Sequence, residues 1–338
     1  MATDLLPDDG RLLLLDGSFS TELRQDGFES DVGDRSVVFP TVKLSHPQSH
    51  ALWTAAANVE AGESVKNVYT RFLESGVDLL TTNTYHATLP QLKAHYGDEI
   101  AEESIKNSVE WAIQEIERVR PSCHLLGSIA SYGATRRDAS EYTGEFVDDE
   151  DGVMKKMVAY HDGQVAVLLS AGVRHFLFET VPALAELDAV LTVVKQRRLS
   201  SIVVSFSCRD DTRLRHGEPF RDALQRIIDG DPSQLVKAVG VNCSDFRHVS
   251  NLLASCSDAA ARHRRPFLVY PNFERQFDKP TASWITVAAR PDERLLFSEW
   301  RRLGVRVIGG CCGVSAQRIA EFRRVIDELN DAQDRKAL

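Results

Sequence analysis

Residues 173–207 have the sequence VRHFLFETVPALAELDAVLTVVKQRRLSSIVVSFS, and this stretch decides the fold. It begins and ends with short runs, 173–179 and 201–207, that are nearly continuous in apolar character and rich in Val, Ile or Leu. Such runs are typical of strands that are buried on both faces. The segment between them, 182–198, has the apolar spacing of an amphipathic helix. Together they predict one strand–helix–strand unit of an α/β fold.

The same alternation extends along the whole chain. Six further strands are predicted at 11–15, 78–84, 123–129, 237–242, 266–271 and 305–310, and four further helices at 98–119, 151–171, 245–263 and 315–330. Eight strands separated by helices predict a single (β/α)8 TIM barrel, formed by one domain over residues 1–338 with its core at about 11–330. The alternative is a doubly wound open sheet. It predicts a phosphate-binding G-x-G-x-x-G after an early strand, and no such motif occurs.

The composition and net charge of the chain indicate which kinds of binding partner to expect. Hydrophobic residues make up 43% of the 338 residues and charged residues 26%, which is the balance of a globular protein. A formal net charge of -9 argues against a nucleic-acid or anionic-membrane partner, because such surfaces need a basic footprint. The longest apolar run near the N-terminus, 12–15, is too short for a secretory signal or a membrane span. We therefore expect a cytoplasmic protein whose six cysteines are reduced.

Three of the six cysteines lie at the ends of predicted strands. Cys243 ends the sixth strand, and Cys311 and Cys312 end the eighth. In a barrel, both strands deliver their last residues to the mouth where active sites assemble. Three thiolates there would fill three corners of a zinc tetrahedron and leave the fourth for water or substrate. Sulfur ligands favour Zn²⁺ over magnesium or calcium, and the glycines of 309–313 let the backbone turn sharply around the pair.

Two other interpretations of the cysteines remain open. Free cysteines are often small buried hydrophobic residues, and we predict this for Cys123, Cys208 and Cys256. Adjacent Cys311 and Cys312 also have the spacing of a vicinal disulfide, which is strained and disfavoured in a reducing cell.

Polar side chains end several of the remaining predicted strands. Asp16 ends the first strand and Glu179 the fourth, so both are expected in the barrel mouth. Asp16 could instead be a turn residue, and Glu179 a capping or surface acid. Asn83, Tyr85 and Asn242 either line the pocket or only stabilise loops.

Four further side chains are candidates for the same mouth. Tyr132 and Tyr142 lie on the third βα-loop, which would cover a second substrate. His86 and His161 have the chemistry of general bases, but a lone histidine is more often structural.

Nine segments in a fixed order carry a family resemblance over roughly residues 11 to 328. They are Leu15-Asp16-Gly17-Ser18, Thr21-Glu22-Leu23, Thr82-Asn83-Thr84-Tyr85, Gly127-Ser128, Ser140-Glu141-Tyr142-Thr143-Gly144, Phe178-Glu179-Thr180-Val181-Pro182, Val241-Asn242-Cys243, Tyr270-Pro271-Asn272 and Gly309-Gly310-Cys311-Cys312-Gly313. In these segments the chain resembles the homocysteine S-methyltransferase family. The resemblance implies a barrel that binds zinc through Cys243, Cys311 and Cys312. It also implies that homocysteine enters through its sulfur as the fourth ligand.

The resemblance implies roles for the remaining polar residues as well. Asp16 and Glu179 would hold the amino-acid ammonium, and backbone amides near Gly17 and Ser18 would take the carboxylate. A coordinated thiol is deprotonated by the metal, and the thiolate then needs only alignment with the methyl of a sulfonium or ammonium donor. No catalytic residue beyond the metal ligands is therefore expected.

The reaction expected from the resemblance is methyl transfer from S-methylmethionine or S-adenosylmethionine to homocysteine, giving methionine. The chain is more similar to sulfonium-using members than to betaine-using ones. Phe273, Val314 and Ser131 depart from the family pattern and leave donor and acceptor preference open. The acceptor could instead be selenocysteine or selenohomocysteine.

Two functions of a different class also remain open. One is a non-catalytic zinc- or thiol-binding barrel, and the second is a redox sensor that uses Cys311 and Cys312. Partners beyond small-molecule substrates are not expected, and the sequence makes no prediction of the oligomeric state.

Overall fold

The computed structural model describes residues 5–7, 9–27, 49–149, 151–273, 275–278, 283–286 and 290–337. The strands are β1 Leu13–Leu14, β2 Leu79–Thr81, β3 His124–Ala130, β4 His175–Val181, β5 Ile202–Phe206, β6 Val236–Asp245, β7 Phe267–Asn272, β8 Arg275–Asp278, β9 Ser283–Thr286 and β10 Val305–Ile308. The α-helices are α1 Phe19–Leu23, α2 Ala57–Glu60, α3 Gly62–Glu74, α4 Leu89–Tyr96, α5 Asp98–Val119, α6 Phe146–Asp149, α7 Val153–Ser170, α8 Leu184–Arg197, α9 Phe220–Gly230, α10 Phe246–Ala254, α11 Ser257–Arg262, α12 Glu293–Arg302 and α13 Ala316–Ala337. Short 3-10 segments occupy Arg24–Asp26, Ser49–Ala56, Tyr132–Arg136 and Ser140–Tyr142.

Eight parallel strands form one sheet in the order β1-β10-β7-β6-β5-β4-β3-β2. A parallel bridge between Leu15 and Leu79 joins the two edge strands. The amide of Asp78 also donates to the carbonyl of Leu14 at 2.8 Å. The sheet is thereby a barrel, and the predicted (β/α)8 fold is confirmed with all eight predicted strands in place.

The helices differ more from the prediction than the strands do. The predicted helix 245–263 is two helices, α10 and α11, because the chain leaves helical geometry at Cys256, where φ is −142°. Among the longer helices, α3, α4, α9 and α12 lie outside the predicted set. Helix α12 buries Phe297 and Trp300, which are three residues apart and so lie on one face. The antiparallel hairpin of β8 and β9 was not predicted either. No helix in the described part of the chain combines the length and apolar character needed to cross a bilayer.

The barrel interior has an apolar floor to which each strand of the barrel contributes. Its members are Leu15, Leu79, Leu126, Leu177, Val203, Ala238, Leu268 and Val307. Side chains alternate along a strand, so the residue two positions after a floor residue also faces inward. These next positions include Thr81, Ser128, Glu179, Ser205 and Tyr270. A polar layer therefore lies directly above the floor, at the carboxyl ends of the strands.

Glu22 connects the first helix of the barrel to α3 and α13. Its buried carboxylate accepts from Arg71 Nε at 2.7 Å and from the backbone amide of Ala316 at 2.6 Å. Ala316 is the first residue of α13. A carboxylate at a helix N-terminus also interacts favourably with the helix dipole.

We expect Glu22→Ala to lower the free energy of unfolding by about 3 kcal/mol, because Arg71 and the Ala316 amide would lose their buried partner. Urea unfolding followed by circular dichroism measures this. The matched control is Glu63→Ala, whose ion pair with Lys66 is exposed. Equal effects of the two substitutions would contradict the assigned role.

Candidate active site

The structure brings together the three cysteines that end β6 and follow β10. The Sγ atom of Cys243 lies 2.7 Å from that of Cys311 and 3.7 Å from that of Cys312, and the last two are 3.9 Å apart. Cys243 is buried, whereas Cys311 and Cys312 are partly exposed. The three sulfurs therefore form one triangle with an accessible side. All three are free thiols, so no vicinal disulfide is present.

The spacing of these sulfurs suits a soft metal ion. Tetrahedral coordination with metal–sulfur bonds of about 2.3 Å sets sulfurs about 3.8 Å apart, which two of the three separations match. The third, between Cys243 and Cys311, would open by about 1 Å on coordination. Hydrogen bonds with the thiols of Cys311 and Cys312 lower the pKa of Cys243, and the same contacts with Cys243 raise the pKa of the other two. The three thiols together form a donor set that could hold a metal ion.

The backbone around the thiols is shaped by one strained residue and by small residues. Cys243 has a φ of 46°, in the left-handed region, where the register between β6 and β7 shifts. A Cβ on Gly309 would lie 2.8 Å from Leu15 Cβ, so glycine is needed there for space. The positive φ in the Gly-Gly-Cys-Cys-Gly turn lies at Gly313, at 85°. Close packing, and not an unusual φ, therefore requires glycine at 309, whereas the left-handed backbone of the turn lies at Gly313.

Asp16 lies where β1 meets β2 at the barrel mouth. Its Oδ2 accepts from the amide of Thr81 at 2.7 Å and from the Thr81 hydroxyl at 2.8 Å. Only 3% of the residue is exposed. Burial raises the pKa of Asp16 to about 7, despite the opposing hydrogen bonds from Thr81.

Glu179 lies in the polar layer on β4. Ser128 Oγ donates to its Oε1, and the Tyr270 hydroxyl donates to its Oε2 at 3.0 Å. Burial raises the pKa of Glu179 to about 8, and the negative charges of Cys243 and Asp16 contribute to the same shift. The two predicted acids and the thiols thus belong to one electrostatically coupled site.

Thr81, Ser128 and Tyr270 were missing from the predicted site residues, although they orient the two acids. Each lies two positions after an apolar floor residue, namely Leu79, Leu126 and Leu268. That period-two pattern is the signal in the sequence that marks them.

The two predicted asparagines are both buried and hydrogen bonded inside the protein. Asn83 Nδ2 donates to the carbonyl of Thr54 at 3.0 Å and to Asn58 Oδ1 at 2.8 Å. Asn242 Oδ1 accepts from the amide of Thr180 at 3.0 Å. Their contact with a substrate stays a prediction.

Gly17 and Ser18 lead from Asp16 into α1. The Ser18 amide donates to the carbonyl of Val314 at 2.8 Å, and the Ser18 hydroxyl caps α1 by accepting from the Thr21 amide at 3.3 Å. A Cβ on Gly17 would lie 2.5 Å from the same Val314 oxygen. The Ser18 amide is therefore already engaged within the fold, and a contact between the Gly17 amide and a substrate carboxylate stays a prediction.

Two partly buried tyrosines lie close to the thiols. The hydroxyl of Tyr142 is 3.9 Å from Cys243 Sγ. Burial raises the pKa of Tyr85, and the charges of Glu141 and Cys243 raise it further. Arg215 Nη2 donates to the carbonyl of Cys243 at 3.0 Å and so fixes this edge of the mouth. Aromatic rings and a buried carboxylate therefore surround the thiols on the side of the βα-loops.

The two candidate histidines are bound within the fold. His161 is fully buried and contacts Glu186 Oε1 at 2.9 Å, whereas His86 Nδ1 contacts Thr54 Oγ1 at 3.0 Å. Burial lowers the pKa of His86 to about 3, so this ring is neutral. Both arrangements favour a structural role.

The three departures from the family pattern all have defined contacts in the fold. Phe273 is buried and stacks on Phe246 with ring centroids 5.6 Å apart. Ser131 Oγ donates to Glu186 Oε2 at 2.7 Å. Val314 is buried against Gly310, where a Cβ would meet it at 2.3 Å, and its amide donates to the carbonyl of Cys311 at 3.0 Å. All three are therefore accommodated by packing or by hydrogen bonds.

Comparisons with known proteins agree with this geometry. A family model described as homocysteine S-methyltransferase matches residues 13–326. The chain is 28% identical to homocysteine S-methyltransferase YbgG of Bacillus subtilis, over 92% of this chain and 93% of that protein. It is 30% identical to betaine-homocysteine S-methyltransferase of Drosophila melanogaster, over 94% and 95%. The crystal structure of the metallated homocysteine methyltransferase MmuM from Escherichia coli superposes with a TM-score of 0.75, at 26% identity over 94% of this chain and 97% of MmuM. The chain therefore belongs to the homocysteine S-methyltransferase family of enzymes.

Proposed function

We propose that the protein is a zinc-dependent enzyme that transfers a methyl group from S-methylmethionine or S-adenosylmethionine to the thiol of L-homocysteine, forming methionine. The observation that carries the proposal is the convergence of three thiols beside two buried carboxyl groups in the mouth of one barrel. Family membership and the metallated MmuM structure support it.

Cys243, Cys311 and Cys312 would hold the zinc ion. When bound, zinc keeps a coordinated thiol deprotonated at neutral pH and so supplies a thiolate nucleophile. The partial exposure of Cys311 and Cys312 supports a fourth position that opens toward the mouth. Three protein ligands with one open position is the arrangement of catalytic zinc sites.

Asp16 and Glu179 would bind the ammonium group of homocysteine. Both carboxyl groups are buried and have raised pKa values, so in the free site their ionised forms are poorly stabilised. An entering cation favours the ionised forms and compensates for part of their desolvation. We place the amino-acid carboxylate near the Gly17 amide, with Asn83 as a further candidate for a pocket contact.

The surroundings of Cys243 suit a positively charged methyl donor. Tyr85 and Tyr142 present aromatic rings, and the charge of Glu141 acts on both hydroxyls. Aromatic faces and carboxylates stabilise sulfonium and ammonium groups by cation–π and charge interactions. In the transfer, the carbon–sulfur bond of the donor breaks, its electron pair stays on the leaving sulfur, and the methyl joins the homocysteine sulfur. The donor loses its charge, so the step needs no proton transfer.

Three wider features belong to the same proposal. The chain acts as one domain, its partners are small molecules, and it works in the cytoplasm, where its thiols stay reduced. A selenium analogue is the alternative acceptor, because a selenolate suits the same soft metal.

We expect zinc-loaded protein to form methionine from homocysteine with either sulfonium donor and to form none with betaine. The assay pairs S-methylmethionine, S-adenosylmethionine and betaine with homocysteine and selenocysteine, and measures the methylated product by mass spectrometry. Chelator-treated protein is the control. If selenocysteine is methylated and homocysteine is not, the acceptor is the selenium compound. Absence of product from every pair, with zinc bound, would refute the enzymatic proposal.

A further inference from the structure

We propose that Asn242 is a positioning residue that fixes the Glu179 carboxylate relative to the Cys243 thiol by tying together two strained strand ends. The inference rests on the proposed function, in which these two groups bind opposite ends of one homocysteine. It assigns Asn242 a task different from direct contact with the substrate.

The strain lies near the carboxyl ends of two strands, β4 and β6. Thr180 has a φ of 62° and Cys243 a φ of 46°. For a β-branched residue such as threonine, this region is a true outlier, and such strain persists only where the surroundings enforce it. The register of β4 with β5 shifts between Phe178 and Val181, directly beside Glu179. The direction of the Glu179 side chain therefore depends on the conformation of Thr180.

The Asn242 side chain makes the hydrogen bonds that enforce the conformation of Thr180. Its Oδ1 accepts from the Thr180 amide at 3.0 Å and from Ser205 Oγ at 2.9 Å, and its Nδ2 donates to Thr180 Oγ1 at 2.8 Å. Asn242 and Thr180 are both fully buried. Asn242 thus reaches across β5 and holds both the backbone and the side chain of Thr180.

The same hydrogen bonds leave the amide oxygen of Asn242 no capacity for a ligand. A carbonyl oxygen has two lone pairs, and both are used by Thr180 and Ser205. The neighbour of Asn242 along the chain is Cys243, and the neighbour of Thr180 is Glu179. One side chain consequently sets the spacing between the ammonium-binding carboxylate and the metal-binding thiol.

The test measures the Kd of homocysteine by calorimetry, and zinc content, on zinc-loaded protein. We expect Asn242→Ala to raise the Kd about 10- to 100-fold with zinc content unchanged, since a displacement of about 1 Å costs this much in a preorganised site. Glycine adopts a positive φ without strain, so adding Thr180→Gly to Asn242→Ala should recover at least about 5-fold of the loss. A lost direct contact between Asn242 and homocysteine would not be recovered in this way.

The control is Asn251→Ala, which removes an exposed asparagine that bonds Asp211 on the outer surface. It should leave the Kd unchanged. An unchanged Kd in Asn242→Ala, or no recovery by Thr180→Gly, would overturn the inference. If Asn242→Ala does not fold, Asn242→Asp takes its place, because it keeps the size and the acceptor but loses the donor to Thr180. Failure of the unaltered protein to bind homocysteine would instead refute the proposed function.

Discussion

Cys312→Ala is expected to remove the bound metal and to lower kcat/KM for methyl transfer by about 10³-fold or more, because a site of three thiolates does not retain zinc with two. Neither His86 nor His161, the two histidines considered as bases, offers a substitute activation for the acceptor thiol. Burial keeps the His86 ring neutral, and His161 is committed to Glu186. Loss of the metal therefore leaves homocysteine as a thiol with its ordinary pKa, largely protonated at neutral pH.

Zinc content by atomic emission and the initial rate of methionine formation measure the two parts of this prediction. Cys208→Ala is the control, since Cys208 is also a free thiol but does not belong to the sulfur triangle. It should retain zinc and activity. One zinc per chain in Cys312→Ala would contradict the assignment of this ligand.

Glu179→Gln is expected to raise the KM for homocysteine about 100-fold with zinc content unchanged, because a buried carboxylate partner of the ammonium is lost. The same substitution should stabilise the folded protein at alkaline pH. The pKa of Glu179 is about 8 in the fold, against an ordinary value of 4.5, so folding favours the protonated form. The cost of the ionised form to the folded state therefore grows as pH rises from about 4.5 to 8 and stays at its maximum above 8.

Urea unfolding of metal-free protein at pH 6 and pH 9 tests whether the ionised form of Glu179 destabilises the folded state. The stability advantage of Glu179→Gln over the unaltered protein should grow by about 2 kcal/mol between these values. Exposed Glu63→Gln should show no such growth. If the difference in unfolding free energy between Glu179→Gln and the unaltered protein is the same at both pH values, Glu179 is not held in a desolvated state. Loss of zinc along with homocysteine binding would mean that its role is not limited to the substrate.

The barrel was predictable because its strands are buried on both faces and therefore appear as continuous apolar runs. Helix α12 was overlooked although its two buried residues, Phe297 and Trp300, have helical spacing. Helix α3 was overlooked although Val65, Val68, Phe72 and their neighbours have helical spacing. Local pattern is therefore a good guide to strands buried on both faces and a less certain one to helices that bury only part of their surface.

Some residues of the candidate site were also predictable from the sequence, and others were not. The thiols and the two acids were predictable because the carboxyl ends of parallel strands meet at one mouth. Ser128 and Tyr270 carry the period-two signal but look like ordinary strand residues when each strand is considered alone. The strain at Thr180 has no local signal, because a β-branched residue normally favours extended backbone. Such conflicts between local preference and observed conformation concentrate at functional sites.

The pairing of β1 with β10 has a consequence for the order in which the protein forms. Leu13 lies opposite Val307, and Glu22 bonds the amide of Ala316, 294 residues later in the chain. Contacts this distant in sequence form slowly, since the loop between them must close first. During synthesis, Asp16 and Cys243 leave the ribosome well before Cys311 and Cys312. The three thiols therefore cannot come together until residues 311 and 312 have been synthesised, and until then Cys243 is without its two partners.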